Sequence, residues 1–388
     1  MTPRLELLTG GEAVAHAMRQ IDPDVVPVYP ITPQTPIIQG FSKFVADGRA
    51  TSDIINVESE HSAMSAAIGA ALAGARTMTA TSSQGLALMA EVVYLAASMR
   101  APMVMAVGNR ALSGPINIHA DHSDSMLVRD SGVMQLFAEN AQEAYDLTVI
   151  APRIAEHPDV LLPVLVCQDG FTITHSAEPV ALLGDDGVRR FIGDYAVPLP
   201  LLDLERVTTQ GPFAMPDSYF ELRHAQTVAL EAALEVFELV AAEFADLSGR
   251  RYAAVEPYRL DDAERAIVLL GSTGGTVKDV VDELREDGDR AGLLEIRSFR
   301  PFPEDAVRRA LWNVPLVAVL DRADSPAAAA PLYADVAAAL YASGVPVLRS
   351  YVYGLGGREV HPSDIRSIFR DVDGLETRKR YVGLEVPA

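Results

Sequence analysis

The sequence predicts two α/β domains, each built on a largely parallel sheet with helices on both faces. Short apolar runs of strand length alternate with segments of helical periodicity, and turn-forming residues separate them. The alternation breaks over residues 178–216, rich in Pro, Gly and Asp, and again over 246–262, after which it resumes. The chain has 388 residues, 49% of them hydrophobic, ample for two sizeable cores.

The elements follow in order. Residues 10–19 have helical spacing and Val25–Tyr29 reads as a short strand. Pro30-Ile-Thr-Pro-Gln-Thr-Pro36 then stops any regular element, because proline lacks an N–H and fixes φ. A helix resumes over 37–48, a strand over Ile54–Val57, and a helix of Ala, Gly, Met and Ile over about 60–75. Thr77–Thr81 is a strand ending in Ser82-Ser83-Gln84-Gly85, followed by a helix over Leu86–Met99. Met103–Val107 is a strand leading into Gly108-Asn109-Arg110, and a helix over Ala141–Ala155 precedes the strand at Val164–Gln168. Residues 178–216 read as an irregular connection, Asp217–Phe244 as a long helix and 246–262 as a linker. The second unit alternates strands at 266–271, 292–295, 316–320 and 347–353 with helices at 277–286, 304–313 and Pro331–Ala342, staying regular to about Phe369. The expected division is a first domain over 1–258 (core 1–177, connection and long helix 178–258), a second over 259–375, and a tail over 376–388.

Charge and cysteine usage exclude several functions. A formal charge of −21 argues against nucleic acid and anionic membrane surfaces as partners. The single cysteine, Cys167, cannot form an intramolecular disulfide or ligate an iron–sulfur cluster alone. No apolar run reaches membrane-spanning length and residues 1–20 carry no signal-peptide pattern, so the expectation is a soluble, cytoplasmic protein.

Ligands of parallel sheets bind beyond the carboxyl ends of the strands. The loops holding Thr32, Glu60, Ser82–Gly85 and Asn109–Arg110 all leave such ends and should converge. Glu58 and Glu60 sit where a strand turns into the small-residue helix. Acidic residues at a helix start are ordinary, so the residues alone leave open a plain helix start or a buried functional carboxylate.

Other motifs are weaker. Gly271-Ser-Thr-Gly-Gly275 is neither a dinucleotide fingerprint nor a Walker loop, and reads as a glycine turn into a helix. His119-Ala-Asp-His-Ser-Asp124 offers metal-capable side chains, but no distant ligand completes a set, which favours loop structure or the lining of a polar site. Gly354-Leu-Gly-Gly-Arg358 reads as interface or turn chemistry, and no G-x-S-x-G elbow is present.

Taken in order, Tyr29-Pro-Ile-Thr-Pro33, Ser59-Glu60, Thr79-Ala-Thr-Ser-Ser-Gln-Gly85 and Asn109-Arg-Ala111 form a specific set. Asp121-His-Ser-Asp124, Asp169-Gly-Phe171 and Glu295-Ile-Arg-Ser-Phe-Arg-Pro-Phe-Pro303 extend it. Together they resemble the alpha subunit of the 2-oxoacid:ferredoxin oxidoreductases, most closely the pyruvate type, from about residue 8 to about 370. The resemblance implies a pyrimidine-type thiamine-diphosphate-binding domain followed by a domain like the carboxyl-terminal domain of transketolase. In that family the diphosphate and its Mg2+ sit in a beta subunit, and iron–sulfur clusters sit in beta and ferredoxin-like subunits. The lone cysteine fits such an alpha subunit. So does the lack of a Gly-Asp-Gly motif, since Glu286-Asp-Gly-Asp289 has the wrong order.

Carried over by position, Glu60 matches the carboxyl that faces N1′ of the cofactor's aminopyrimidine. Thr32 matches the threonine near the substrate and cofactor, and Arg110 the arginine that holds the substrate carboxylate. Ser83 and Gln84 match the cofactor edge, and Glu58 has no such counterpart. The implied activity is oxidative decarboxylation of pyruvate, or a related branched-chain or aryl 2-oxoacid or oxalate, to an acyl-coenzyme A. Electrons would pass to ferredoxin through beta, gamma and ferredoxin-like delta subunits. The remaining alternatives are a non-catalytic assembly subunit and a stand-alone transketolase-like transferase, the latter opposed by the missing diphosphate motif.

Overall fold

The computed structural model describes residues 4–341, 347–372 and 379–385. Strand β1 (Arg4–Thr9) runs into α1 (Gly10–Ile21) through a capping box, Thr9 accepting from the Glu12 N–H while the Glu12 carboxylate accepts from the Thr9 N–H. Then come β2 (Val25–Val28), α2 (Thr35–Ala46), β3 (Asp53–Asn56) and α3 (Glu60–Ala73). They are followed by β4 (Met78–Thr81), α4 (Ser83–Ser98), β5 (Val104–Asn109), α5 (Ser123–Leu127) and β6 (Met134–Phe137). Helix α6 (Ala141–Ala155), β7 (Val164–Asp169), β8 (Ala177–Leu182), α7 (Asp185–Ile192) and the long α8 (Tyr219–Ser248) complete the first unit. The second comprises β9 (Val255–Tyr258), β10 (Arg265–Leu269), α9 (Thr273–Glu286), β11 (Ala291–Ile296) and β12 (Ser298–Arg300). Helix α10 (Glu304–Leu311), β13 (Leu316–Asp321), α11 (Pro331–Leu340), β14 (Val347–Val352), α12 (Pro362–Asp371) and β15 (Arg380–Tyr381) end the order.

The first sheet has strand order β12-β6-β7-β5-β4, parallel except for β12. Its central strands β5 and β7 are buried at every residue, as strands covered on both faces must be. The parallel pair β2–β3 continues it beyond β4 through a bridge at Val25 and Thr77. Pro27 has no N–H to give a ladder, and its carbonyl accepts from the Thr79 hydroxyl at 2.7 Å. The second sheet has order β15-β14-β13-β10-β11-β9, parallel except for β9.

Alternation along β10 explains how the two units share a core. Ala266 and Val268 face the large apolar cluster that runs back into the first unit. Ile267 and Leu269 face a smaller cluster with Val277 and Val281 of α9 and Ile365 and Phe369 of α12. Polar clamps add to this junction: Lys278 binds Glu139 at 2.7 Å and Glu295 at 3.2 Å, and Arg297 binds Glu143 at 2.6 Å and Glu256 at 2.8 Å.

Several expectations need correction. The stretch read as an irregular connection begins with β8 and α7, and only beyond Ile192 does regular structure lapse until α8. The 246–262 linker contains β9, and β1 and β6 are further strands that the apolar pattern did not mark. The reason is physical. In β1, Leu5 and Leu7 face outward at 70% and 71% exposure, so no buried face sets a hydrophobic alternation; the ribbon it makes with β8 is held by backbone pairing. Strand β12, from the later part of the chain, pairs with β6 at the edge of the first sheet. Ala342, expected to end a helix, and 376–378 and 386–388 of the expected tail lie outside the described residues. Among the described residues no helix is long and apolar enough to cross a membrane.

Candidate active site

Helix α3 starts from Ser59, whose hydroxyl accepts from the Ser62 N–H at 3.2 Å, and turns its Ala63, Met64, Ala67 and Ile68 face into the core. Glu60, its first residue, is buried at 7% exposure, and no hydrogen bond to its carboxylate forms among the described residues. Gly85, in the first turn of α4, lies against it. A Cβ there would come within 2.9 Å of Glu60 Oε1 and 2.4 Å of Thr81 Oγ1. Two neighbouring helix starts therefore meet at a spot where only glycine fits, and the carboxylate occupies the room it leaves. Glu58 plays another part: it is exposed and accepts from the Ser62 hydroxyl at 2.5 Å at the start of α3.

Arg110 follows β5. Burial lowers its guanidinium pKa, and its charge has no carboxylate ion-pair partner among the described residues. Two backbone carbonyls hold it instead: Nε donates to Asn117 at 2.8 Å and Nη1 to Thr32 at 2.9 Å. Thr32 and Arg110 are thus joined directly, with the Thr32 side chain exposed.

Ser83 connects this pair to the Glu60 side. It takes a positive φ of 47°, unusual for a residue with a side chain, and its hydroxyl donates to the Ala111 carbonyl at 2.5 Å. Gln84 reaches the Ser113 hydroxyl. The four strand-exit loops converge as the topology requires, through Glu60 on Gly85, Ser83 on Ala111, and Arg110 on Thr32.

Asp124 organises this convergence, and sequence reasoning left its role open. It is wholly buried and accepts from the Ser83 N–H, the Arg110 N–H and the Asn109 amide, each at 2.9 Å, and from the Ser125 N–H at 2.7 Å. Burial still outweighs these bonds and raises its pKa to about 6. Its neighbour His122 turns the other way, its Nε2 lying 2.7 Å from Asp169, so the His-Asp stretch serves two separate networks. Asp169 also accepts from Arg322 at 2.7 Å and from Ser272. Although burial acts to raise its pKa, Arg322 and His122 hold it well below the ordinary carboxylate range. Gly271, at φ +75°, comes so near Asp169 that a Cβ would lie 3.1 Å from Oδ2. The Gly271–Gly275 stretch is thereby a turn docked on the first unit. The one signal for Asp124 was its place in a polar run, which does not reveal that its partners are backbone amides.

A flat aminopyrimidine offers a ring nitrogen able to share a proton with a carboxyl, and polar edges. The buried Glu60 carboxylate, which bonds to none of the described residues, and the hydroxyls of Thr81 and Ser82, both buried and without partners among those residues, match the proton-sharing and polar contacts such a ring requires. Cys167 is wholly buried and its thiol pKa is pushed well up, which leaves it inert.

Comparison with known proteins bears on the same regions. Residues 16–242 match the family described as pyruvate flavodoxin/ferredoxin oxidoreductase, thiamine diphosphate-binding, and residues 263–365 match pyruvate:ferredoxin oxidoreductase core domain II. The chain is 56% identical to pyruvate synthase subunit PorA of Thermotoga maritima over 97% of each chain. It is 39% identical to ketoisovalerate oxidoreductase subunit VorA of Pyrococcus horikoshii over 95% of this chain and 94% of that one. In fold it is similar to 2-oxoglutarate:ferredoxin oxidoreductase from Magnetococcus marinus, with a TM-score of 0.76 at 18% identity over 95% of this chain and 65% of that one. A split-gene transketolase follows at a TM-score of 0.55 and 12% identity, covering 96% and 99% of the two chains. The transketolase-like two-sheet α/β architecture and the sequence matches agree: this chain belongs to the pyruvate:ferredoxin oxidoreductase family.

Proposed function

We propose that this chain is the alpha subunit of a thiamine-diphosphate-dependent 2-oxoacid:ferredoxin oxidoreductase that converts pyruvate and coenzyme A to acyl-coenzyme A and carbon dioxide. The observation that carries it is the buried Glu60 carboxylate, packed against Gly85 and without a hydrogen-bond partner among the described residues. Thiamine diphosphate, when bound, supplies the carbon nucleophile and the electron sink that decarboxylation of a 2-oxoacid requires.

Glu60 holds a proton at the ring nitrogen facing it. Its burial keeps water from competing for that hydrogen bond. Arg110, already fixed through Nε and Nη1, turns its remaining N–H donors to the substrate carboxylate, where a planar fork matches a planar anion. The exposed Thr32 hydroxyl donates to the 2-oxo group or the carboxylate, and Ser83 and Gln84 border the ring.

A beta subunit holds the diphosphate and Mg2+. Iron–sulfur clusters in the beta and ferredoxin-like delta subunits of a complex that includes gamma carry electrons to ferredoxin, in the cytoplasm. The lack of a Gly-Asp-Gly motif and the single, inert cysteine support that division of labour. The 39% identical ketoisovalerate relative keeps a branched 2-oxoacid as the second reading.

Pyruvate-dependent reduction of ferredoxin or viologen by the assembled complex tests the assignment. Glu60→Gln should lower kcat at least a hundredfold with cofactor affinity within tenfold of wild type. Unchanged turnover would remove Glu60 from the reaction.

A further inference from the structure

The loop that carries Arg110 leaves β5, makes an excursion over residues 112–118 and returns where the Ala111 N–H donates to the His119 carbonyl at 3.1 Å. Its tip is solvated, with Ile116 76% exposed, so packing against a core does not fix the part that holds Nε of Arg110. Part of what fixes it comes from the second unit.

After β14 the chain makes a glycine turn with Gly354, Gly356 and Gly357 all at positive φ, between 59° and 79°. It lies directly on the Asn117–His119 segment. A Cβ at Gly356 would come within 2.5 Å of Asn117 Nδ2, and one at Gly357 within 2.4 Å of His119 Cβ. The turn itself rests on Arg322, whose Nε donates to the Gly354 carbonyl and whose Nη1 is held by Asp169.

Asn117 is where turn and loop are fastened. Its Nδ2 donates to the Gly356 carbonyl at 3.0 Å, its Oδ1 accepts from the His119 N–H at 2.7 Å, and its backbone carbonyl accepts from Arg110 Nε at 2.8 Å. A guanidinium has five N–H donors in one plane. Carbonyls at Nε and Nη1 fix that plane and leave three N–H donors to meet an anion. The Thr32 carbonyl belongs to the same pocket, whereas the Asn117 carbonyl is placed by an element more than 200 residues further along.

We propose that Asn117 is a positioning residue: fastened to the second unit at Gly356, it sets the aim of Arg110, so that docking of the second unit tunes affinity for the substrate carboxylate. The inference rests on the reading that Arg110 receives that carboxylate. It adds a function for the glycine turn beyond packing.

Two substitutions separate the latch from the local loop. Asn117→Asp keeps the Oδ1 that caps the His119 N–H but sets a second acceptor against the Gly356 carbonyl. Asn117→Ala removes both bonds. In the assembled complex, each should raise KM for the 2-oxoacid three- to tenfold while kcat stays within twofold. Thiamine diphosphate affinity and KM for coenzyme A should stay unchanged. Gly356→Ala, which pushes Asn117 from the other side, should give the same split. In an Arg110→Ala background, itself raised far more in KM, Asn117→Asp should add nothing.

A large KM rise for Arg110→Ala with wild-type KM for Asn117→Asp and Gly356→Ala overturns the positioning role and leaves the Arg110 reading intact. An effect confined to Asn117→Ala likewise overturns it, in favour of the local turn alone. An unchanged KM for Arg110→Ala overturns both. Equal losses in kcat and cofactor binding would mark a general structural defect, also against the proposal.

Discussion

Gly85→Ala isolates the fit between the two helix starts. Gly85 lies in α4 outside the positive-φ glycines, so alanine suits the backbone and adds about 1 kcal/mol of helix propensity. The obstacle is space. The new Cβ would sit 2.9 Å from Glu60 Oε1, 3.0 Å from Glu60 Cγ and 2.4 Å from Thr81 Oγ1, where ordinary contact begins near about 3.4 Å. The carboxylate must therefore withdraw by about 0.5 Å and the threonine hydroxyl by about 1 Å. Misplacing a reacting group by about 1 Å costs on the order of a hundredfold in rate, so kcat should fall about 10- to 100-fold. Overpacking of about 1–3 kcal/mol, less the propensity gain, leaves a stability loss of about 0–2 kcal/mol. Gly40→Ala, whose Cβ would press on Ala15 Cβ at 2.9 Å between α1 and α2, is the matched control: similar overpacking, little change in kcat. The assay is steady-state viologen reduction by the complex with saturating cofactor, alongside thermal unfolding. A Gly85→Ala complex with kcat within twofold of wild type would refute the argument that this recess holds a reacting carboxylate.

Other predictions concern what surrounds that recess. Asp124→Asn turns an amide NH2 toward two of the four donors the carboxylate now satisfies; at about 1–3 kcal/mol per unsatisfied buried donor, the loss is about 2–6 kcal/mol. Thermal unfolding of the complex should report it, together with a raised KM for the 2-oxoacid, and an unchanged midpoint would contradict it. Lys278→Met leaves Glu139 and Glu295 buried side by side and should cost about 3–5 kcal/mol at neutral pH, less in acid, by the same measurement. Burial, with Glu139 next in weight, raises Glu295 to about 8 from an ordinary value near 4.5. A raised folded-state pKa contributes stability that is complete below the unfolded value and is lost as pH rises through the folded one. Between about pH 5 and 9 the wild-type midpoint should therefore fall relative to that of Glu295→Gln, and parallel profiles would show that Glu295 does not carry the proton.

How much of this was legible in the sequence follows from the kind of signal each part leaves. The strands β5 and β7 are buried throughout and stand out as apolar runs, and α6 begins and ends where its periodicity does. Thr32, Glu60 and Arg110 were visible because each follows a strand, and parallel strands end on one side. Strands β1, β8 and β9 were not, because they are short or solvent-facing and owe their form to backbone pairing with distant partners.

By itself, then, the sequence determined the alternation of elements, the side of the sheet on which the loops gather, and the chemical types waiting there. Tertiary structure decided which of those groups are charged, aimed and supported. Glu58 and Glu60 stand two residues apart, yet one is exposed at a helix start and the other is buried beside a glycine. Asp124 became the hub of the loops because two other segments of the chain aim N–H donors at one carboxylate. Arg110 owes its direction in part to a glycine turn from the second unit, acting through Asn117. Hydrophobic periodicity is a local property of the chain. The desolvation and hydrogen bonding that set a buried charge come from residues far away in sequence, and only folding brings them together.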